Sequence, residues 1–297
     1  MKPFDISTDS TCDLYANEIA ENGLFFLPLT YTLQEGNGEV EEHLDNFQSA
    51  EEYEQYYDIL KRNVISRTSM NNPFIHEQHF LKMAEAGVTD AIHFTISYGL
   101  CHTVDVARAA VEVVKKQYPA FNCLCVECNT TTVGQGFLVN VAINMRKEGK
   151  SLQETFDYVE KIKHKIQHFI IVDNLASLVR GGRISAAAGA VGTLLNVKPI
   201  IVFNKEGKLQ KYKQVSGMRH AVHTIVKEYA NYTPDENHPT LYIGHTGNKE
   251  MCAYLKELLE KTYNVNVVTR MIGPVIASHL GPNAVAYIFV SKEDRPI

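Results

Sequence analysis

A chain of 297 residues has room for two domains of ordinary size, each with its own apolar core. Its 45% hydrophobic and 21% charged content is that of a soluble globular protein, and a net charge of −5 argues against nucleic acid or an anionic membrane as the main partner. The first residues, Met1-Lys2-Pro3-Phe4-Asp5, lack the basic-then-apolar pattern of a secretory signal, and no long unbroken apolar stretch follows; both points suggest the cytoplasm and no integral membrane segment.

In chain order, a short strand at 4–7 runs into the polar loop 8–13, and a helix is expected at 15–22. A second strand is predicted over 25–33, followed by an acidic surface loop over 34–45. A helix at 51–60 leads into the loop 66–73, whose Pro73 can open a helix over 74–86. Strands at 89–96 and 121–126 then alternate with helices at 104–118 and 132–147. Strand, polar loop and helix recurring in that order is the signature of a parallel sheet wrapped by helices.

Gly149-Lys150-Ser151 marks a change of domain, with Ser151 capping an amphipathic helix that carries Leu152, Phe156, Val159, Ile162 and Ile166 on one face. The apolar run 169–172 reads as a buried strand, and Asp173-Asn174 after it suit the cap of a short helix at 175–179. Strands at 197–203 and about 209–215 join through a hairpin turn at 205–208. Helices at 219–230 and 250–263 alternate with strands at 240–245, 265–270 and 284–290. The expected fold is therefore α/β in two domains: residues 1–150 as a parallel-sheet α/β/α layer structure with polar binding loops, and residues 151–297 as an α/β domain with a mixed sheet.

In open parallel sheets ligands collect at the carboxyl ends of strands, where helix N-termini present backbone N–H groups. The loops 8–13, 68–73 and 97–103 fall at such places and carry hydroxyls rather than lysines, a cradle better suited to a carboxylate than to a triphosphate. No GxxxxGK[ST] phosphate loop is present, and Gly134-Gln135-Gly136 does not complete a dinucleotide fingerprint. Cys123, Cys125 and Cys128 include a CxxC, but no second pair stands at zinc-like spacing, so buried thiols are expected rather than a metal or a disulfide. His220 and His223 are a lone helical pair, and the glycosylation acceptor at Asn129 means nothing in an unsecreted chain.

The least ordinary stretch is 173–203. Arg180-Gly181-Gly182-Arg183 places two glycines between two arginines, a turn that can grip an anion or simply join two helices with its arginines in solvent. Residues 185–195 are tiny or aliphatic and uncharged, a surface made to lie against something apolar. Thr68 and Ser97 suit a helix cap or turn as well as a ligand contact. His279 falls in a glycine and proline loop before the last strand, where it either donates to an anion or bonds to backbone. A different chemistry, a serine-dependent lipid or ester hydrolase, would use Ser97 or Ser69 with His279, although the segment from Thr95 to Gly99 is only half of a nucleophile elbow.

Six blocks in order resemble the DegV family over nearly the whole chain. They are Ile6 with Asp9-Ser10 and Asp13, Thr68-Ser69, Ile96-Ser97 with Gly99-Leu100 and Thr103, Leu178 to Ser185 with Leu194 to Ile200, His245 to Asn248, and Ile272 to Pro282. The resemblance implies two α/β domains with a long-chain fatty acid such as palmitate between them, and no cofactor besides that ligand. It implies a lipid-binding protein of fatty acid metabolism or transport rather than an enzyme. Relatives include the fatty-acid-binding subunits of bacterial fatty acid kinase, which present the acyl carboxylate to a separate ATP-binding kinase subunit and carry the acyl phosphate. Carried over to matching positions, the carboxylate is held by Thr68, Ser97 and His279, and Arg183 faces the phosphoryl group. The chain departs from the family pattern at Met70-Asn71-Asn72 and Asn283, at Tyr98, where the family has a second serine that is the other candidate contact, and at Ser216, where it has an arginine that resembles a kinase-docking contact.

Overall fold

Three sheets organise the chain, whose computed structural model describes residues 2–62, 64–189 and 196–296. The first half runs β1 (Asp5–Asp9), α1 (Ala16–Glu21), β2 (Phe25–Leu27), β3 (Thr30–Gln34), β4 (Val40–Leu44), α2 (Ala50–Lys61), β5 (Ile65–Ser69), α3 (Pro73–Glu85), β6 (Asp90–Thr95), α4 (Thr103–Gln117), β7 (Asn122–Glu127) and α5 (Val133–Lys147). The second half continues as α6 (Leu152–Ile162), β8 (Ile166–Ile171), α7 (Ala176–Arg180), α8 (Ala186–Gly189), β9 (Val197–Phe203), β10 (Leu209–Ser216), α9 (Met218–Glu228), β11 (Leu241–His245), α10 (Lys249–Tyr263), β12 (Val267–Met271), α11 (Pro274–Leu280) and β13 (Val285–Val290).

The first sheet is parallel throughout, in the order β2-β1-β6-β7. Its strands are buried on both faces, which is why β1 and β6 read as near-continuous buried runs. Phe80 and Met83 of α3 pack with Val104 and Val111 of α4 over Cys123 and Cys125 on one face. Leu138 and Phe137 of α5 pack with Val159 and Ile162 of α6 over Ile6, Phe94 and Val126 on the other. Helix α6 therefore lies on the first sheet even though it follows the Ser151 capping box. The second sheet is mixed, in the order β10-β9-β8-β13-β11-β12, with only β11 and β12 parallel. The α/β fold with one parallel and one mixed sheet is the expected one.

The third sheet, β4-β3-β5, is antiparallel and differs from expectation. The strand predicted over 25–33 divides at Pro28-Leu29, so that β2 joins the first sheet while β3 starts another; proline has no N–H to carry a ladder through. The segment expected as an acidic loop holds β4, and part of the loop expected at 66–73 is β5. Both strands are largely polar, and β4 is mostly exposed, so no apolar alternation announces them. His279 also sits in a helix rather than a loop, because Pro274 opens α11 and Gly281, at φ +76°, closes it.

The halves meet in a cluster that joins Tyr56 and Tyr57 of α2 and Ile96 beyond β6 to Ile170 of β8, Leu178 of α7, Ile201 of β9 and Ile276 of α11. Cys123, Cys125 and Cys128 are buried free thiols. Of the small-residue run 185–195, residues 190–195 lie outside the described residues, as do Leu194 and Leu195. No helix among the described residues is long and apolar enough to cross a membrane.

Candidate functional site

An apolar cavity opens between the halves. The first half contributes Thr68 to Met70, Ile96 and Leu100; the second contributes Ile170, Leu178, Phe203, Val275 and Ile276 among others. Most of the lining is aliphatic or aromatic, with a few polar groups, the composition of a site for an apolar ligand with one oriented end.

That end is built by β5 and α11. Thr68 Oγ1 lies 2.8 Å from His279 Nε2, and both residues are half-buried at the cavity. Residues 211 positions apart are brought together by the hydroxyl network beneath them. Tyr56 of α2 places its Oη 2.9 Å from Ser66 Oγ and 2.8 Å from Ser278 Oγ, and the two serine oxygens are 2.7 Å apart. Ser66 shares the strand face of Thr68, and Ser278 precedes His279, so this buried triad fixes the strand against the helix. The start of α11 is held from the first half as well: the Gly273 N–H donates to Asp13 Oδ1 at 2.9 Å and the Val275 N–H to Asp45 Oδ2 at 3.4 Å. Burial pushes both carboxyls up, Asp45 to about 7.

His279 carries no charge at neutral pH. Burial chiefly, and then the guanidinia of Arg183 and Arg180, bring its imidazole down to about 4. Its Nδ1 edge lies against Gly181, where a Cβ would fall 2.2 Å from the ring nitrogen. Arg183 lines the same cavity, half-buried, and donates to the Gly181 carbonyl at 2.5 Å. A hydroxyl, a neutral imidazole and a nearby guanidinium converge without a carboxylate, an arrangement that attracts an anion.

Not every expected residue joins this group. Ser97 is fully buried and its hydroxyl donates to the Gly207 carbonyl at 2.7 Å, away from the cavity lining. Tyr98 is exposed and stacks on His102 with ring centroids 4.1 Å apart. Ser69 lines the cavity, but the imidazole of His279 faces Thr68 rather than either serine. Thr11, Thr131, Thr132 and His168 also line the cavity without having been singled out from the sequence. Thr131 and Thr132 stand beyond β7, a fourth polar loop at the carboxyl end of a parallel strand, so the rule that found the other three loops applies to this one too.

The chain matches the family described as "Uncharacterised protein, DegV family" over residues 3–292. It is 30% identical over 297 residues to a DegV domain-containing protein of Clostridium perfringens, covering 100% of both chains. It is also 30% identical over 295 residues to the protein YteA of Lactococcus lactis, covering 98% of this chain and 99% of that one. Among solved structures, a Thermotoga maritima protein described as revealing fatty acid binding function superposes with a TM-score of 0.82 at 21% identity, covering 98% of this chain and 100% of that one. A stearic acid-binding protein from Eubacterium ventriosum gives 0.82 at 21% identity, covering 97% and 98%. These likenesses establish a shared fold. With the family match and full-length relatives added, the chain belongs to the DegV family.

Proposed function

We propose that this protein binds a long-chain fatty acid, such as palmitate, with its tail in the cavity between the halves and its carboxylate at Thr68 and His279. The observation that carries this reading is an apolar cavity edged by a hydroxyl 2.8 Å from a neutral imidazole, with Arg183 close by. Each methylene taken out of water contributes about 0.8 kcal/mol, so a sixteen-carbon tail is held mainly by the cavity wall and the head group supplies orientation. Neutral donors bind a carboxylate by charge-assisted hydrogen bonds without the desolvation cost of a fully buried ion pair. The Thermotoga and Eubacterium proteins, described as binding fatty acid and stearic acid, agree with this ligand class.

In this reading the chain is two α/β domains, residues 1–150 and 151–297, that carry lipid rather than transform it. Arg183, which lines the cavity, would face a phosphoryl if a separate ATP-binding kinase subunit acted on the bound acid. Ser216, exposed at the end of β10, stands where the family has an arginine resembling a docking contact, a departure that speaks against docking of such a kinase. Calorimetric titration of delipidated protein with palmitate tests the reading: saturable binding near one per chain is expected, and no heat above that of dilution would refute it.

A further inference from the structure

Thr131 is 6% exposed and lines the cavity, yet its hydroxyl has no hydrogen-bond partner among the described residues. An unpaired buried hydroxyl costs free energy comparable to a lost hydrogen bond, so its presence in an apolar site asks for a partner. Two neighbouring polar groups, His168 and Thr11, are already engaged. His168 Nδ1 lies 3.1 Å from the Ile166 carbonyl, which can only accept, so Nδ1 carries the proton and Nε2 accepts from Thr130 Oγ1 at 2.6 Å. Thr11 Oγ1 donates towards Asp9 and Gln135.

The loop holding Thr131 is also fixed in place. Its carbonyl accepts from the Gly134 N–H at 3.1 Å, the Thr132 N–H donates to the Thr11 carbonyl at 2.7 Å, and a Cβ at Gly134 would fall 2.1 Å from Thr130 Oγ1. The main chain of Thr131 is therefore held with its buried hydroxyl at the cavity. A saturated hydrocarbon tail would leave it unpaired.

We propose that Thr131 is a specificity-determining residue, and that the cavity takes an acyl chain bearing an oxygen function, a hydroxyl along its length, which pairs with Thr131. A ligand hydroxyl both donates and accepts, as threonine does, and burying it without a partner would be penalised. This inference rests on the fatty-acid reading above.

The test measures affinities of delipidated protein for stearic acid and for a series of monohydroxystearic acids differing in hydroxyl position, using wild type, Thr131→Ser and Thr131→Val. In the wild type one positional isomer binds at least about fivefold more tightly than the rest, the scale of one hydrogen bond. Thr131→Ser keeps that preference and Thr131→Val removes it. Isomers that rank alike in the wild type, or a preference that persists in Thr131→Val, overturn the inference while leaving fatty acid binding in place. Absence of binding by stearic acid and by every isomer removes the fatty-acid reading, and this inference with it. Thr131→Ala replaces Thr131→Val if the latter does not fold.

Discussion

Ser97 Oγ donates to the Gly207 carbonyl at 2.7 Å, tying the loop beyond β6 to the tip of the β9–β10 hairpin across the two halves. Asn129 Nδ2 adds a bond to the Lys205 carbonyl at 3.1 Å. Gly207 is at φ +70°, and a Cβ there would fall 2.1 Å from Ser97 Oγ, so the contact is as close as a glycine permits. Phe203 and Leu209 on the hairpin and Leu100 on the loop line the cavity, so this contact braces two parts of its wall from outside the lining. Ser97→Ala should therefore lower stability by about 1–2 kcal/mol while changing palmitate affinity less than about threefold. Gly207→Ala should cost more. Urea unfolding and calorimetry separate the two effects; a Ser97→Ala variant of normal stability and lost affinity would return Ser97 to the head group.

Thr68→Val keeps the shape of the side chain and removes its hydroxyl. Palmitate affinity should fall about five- to tenfold, with the melting temperature within a few degrees of wild type. His279→Ala should weaken binding at least as much. Tyr56→Phe touches no ligand in this account, yet it breaks the Ser66–Ser278 network, so it should lower stability and shift affinity by a smaller factor. Normal affinity in both Thr68→Val and His279→Ala would discard the head-group assignment.

Gly181 tests the imidazole placement from behind. A methyl group at this position would meet His279 Nδ1 at 2.2 Å and Cε1 at 2.7 Å, so the ring must move. Gly181→Ala should reduce palmitate affinity nearly as far as His279→Ala does, and the two substitutions combined should cost little more than either alone. Additive losses would mean that the glycine acts elsewhere.

The fold should weaken on mild acidification. Ser7 Oγ lies 2.7 Å from His79 Nε2 and 2.8 Å from His93 Nδ1, and His76 packs beside them. Burial keeps all three imidazoles neutral, with His76 down at about 4, His79 at about 3 and His93 well below its ordinary value. In the unfolded chain each titrates near 6.5, so between pH 6.5 and 4 the unfolded state takes up protons that the folded state refuses, and stability falls as pH falls. Asp45 works in the opposite sense, since its raised carboxyl favours the folded state at low pH and that contribution fades as pH rises towards 7. Urea unfolding at pH 7, 6 and 5 should show a smaller slope in His79→Gln, by up to about 1.4 kcal/mol per pH unit. An unchanged slope would contradict this assignment.

The parallel sheet is legible in the sequence because β6 and β7 carry apolar residues and, like the mostly polar β1, run into polar loops followed by helices. The antiparallel sheet is not, since Val40–Leu44 is mostly exposed and Ile65–Ser69 mostly polar. Only the pairing of each with β3 makes it a strand. At the site, Thr68 and His279 stand 211 residues apart, and no spacing rule joins them; the family resemblance named both positions. It also named Ser97, whose sequence context cannot reveal that a hairpin in the other half takes up its hydroxyl. Tyr56 reads as an ordinary core aromatic on a helix, and its two serine partners are visible only in three dimensions. Thr131 follows β7 in a polar loop at the carboxyl end of a parallel strand, a position the sequence does mark.

Mass spectrometry on protein purified without detergent, intact before and after denaturation, addresses the central claim most directly. The account predicts a chain of unmodified mass that releases close to one equivalent of free long-chain fatty acid when denatured. A covalent acyl adduct on the denatured chain would favour the serine hydrolase instead, and no lipid released, with none taken up on incubation with palmitate, would contradict the claim outright.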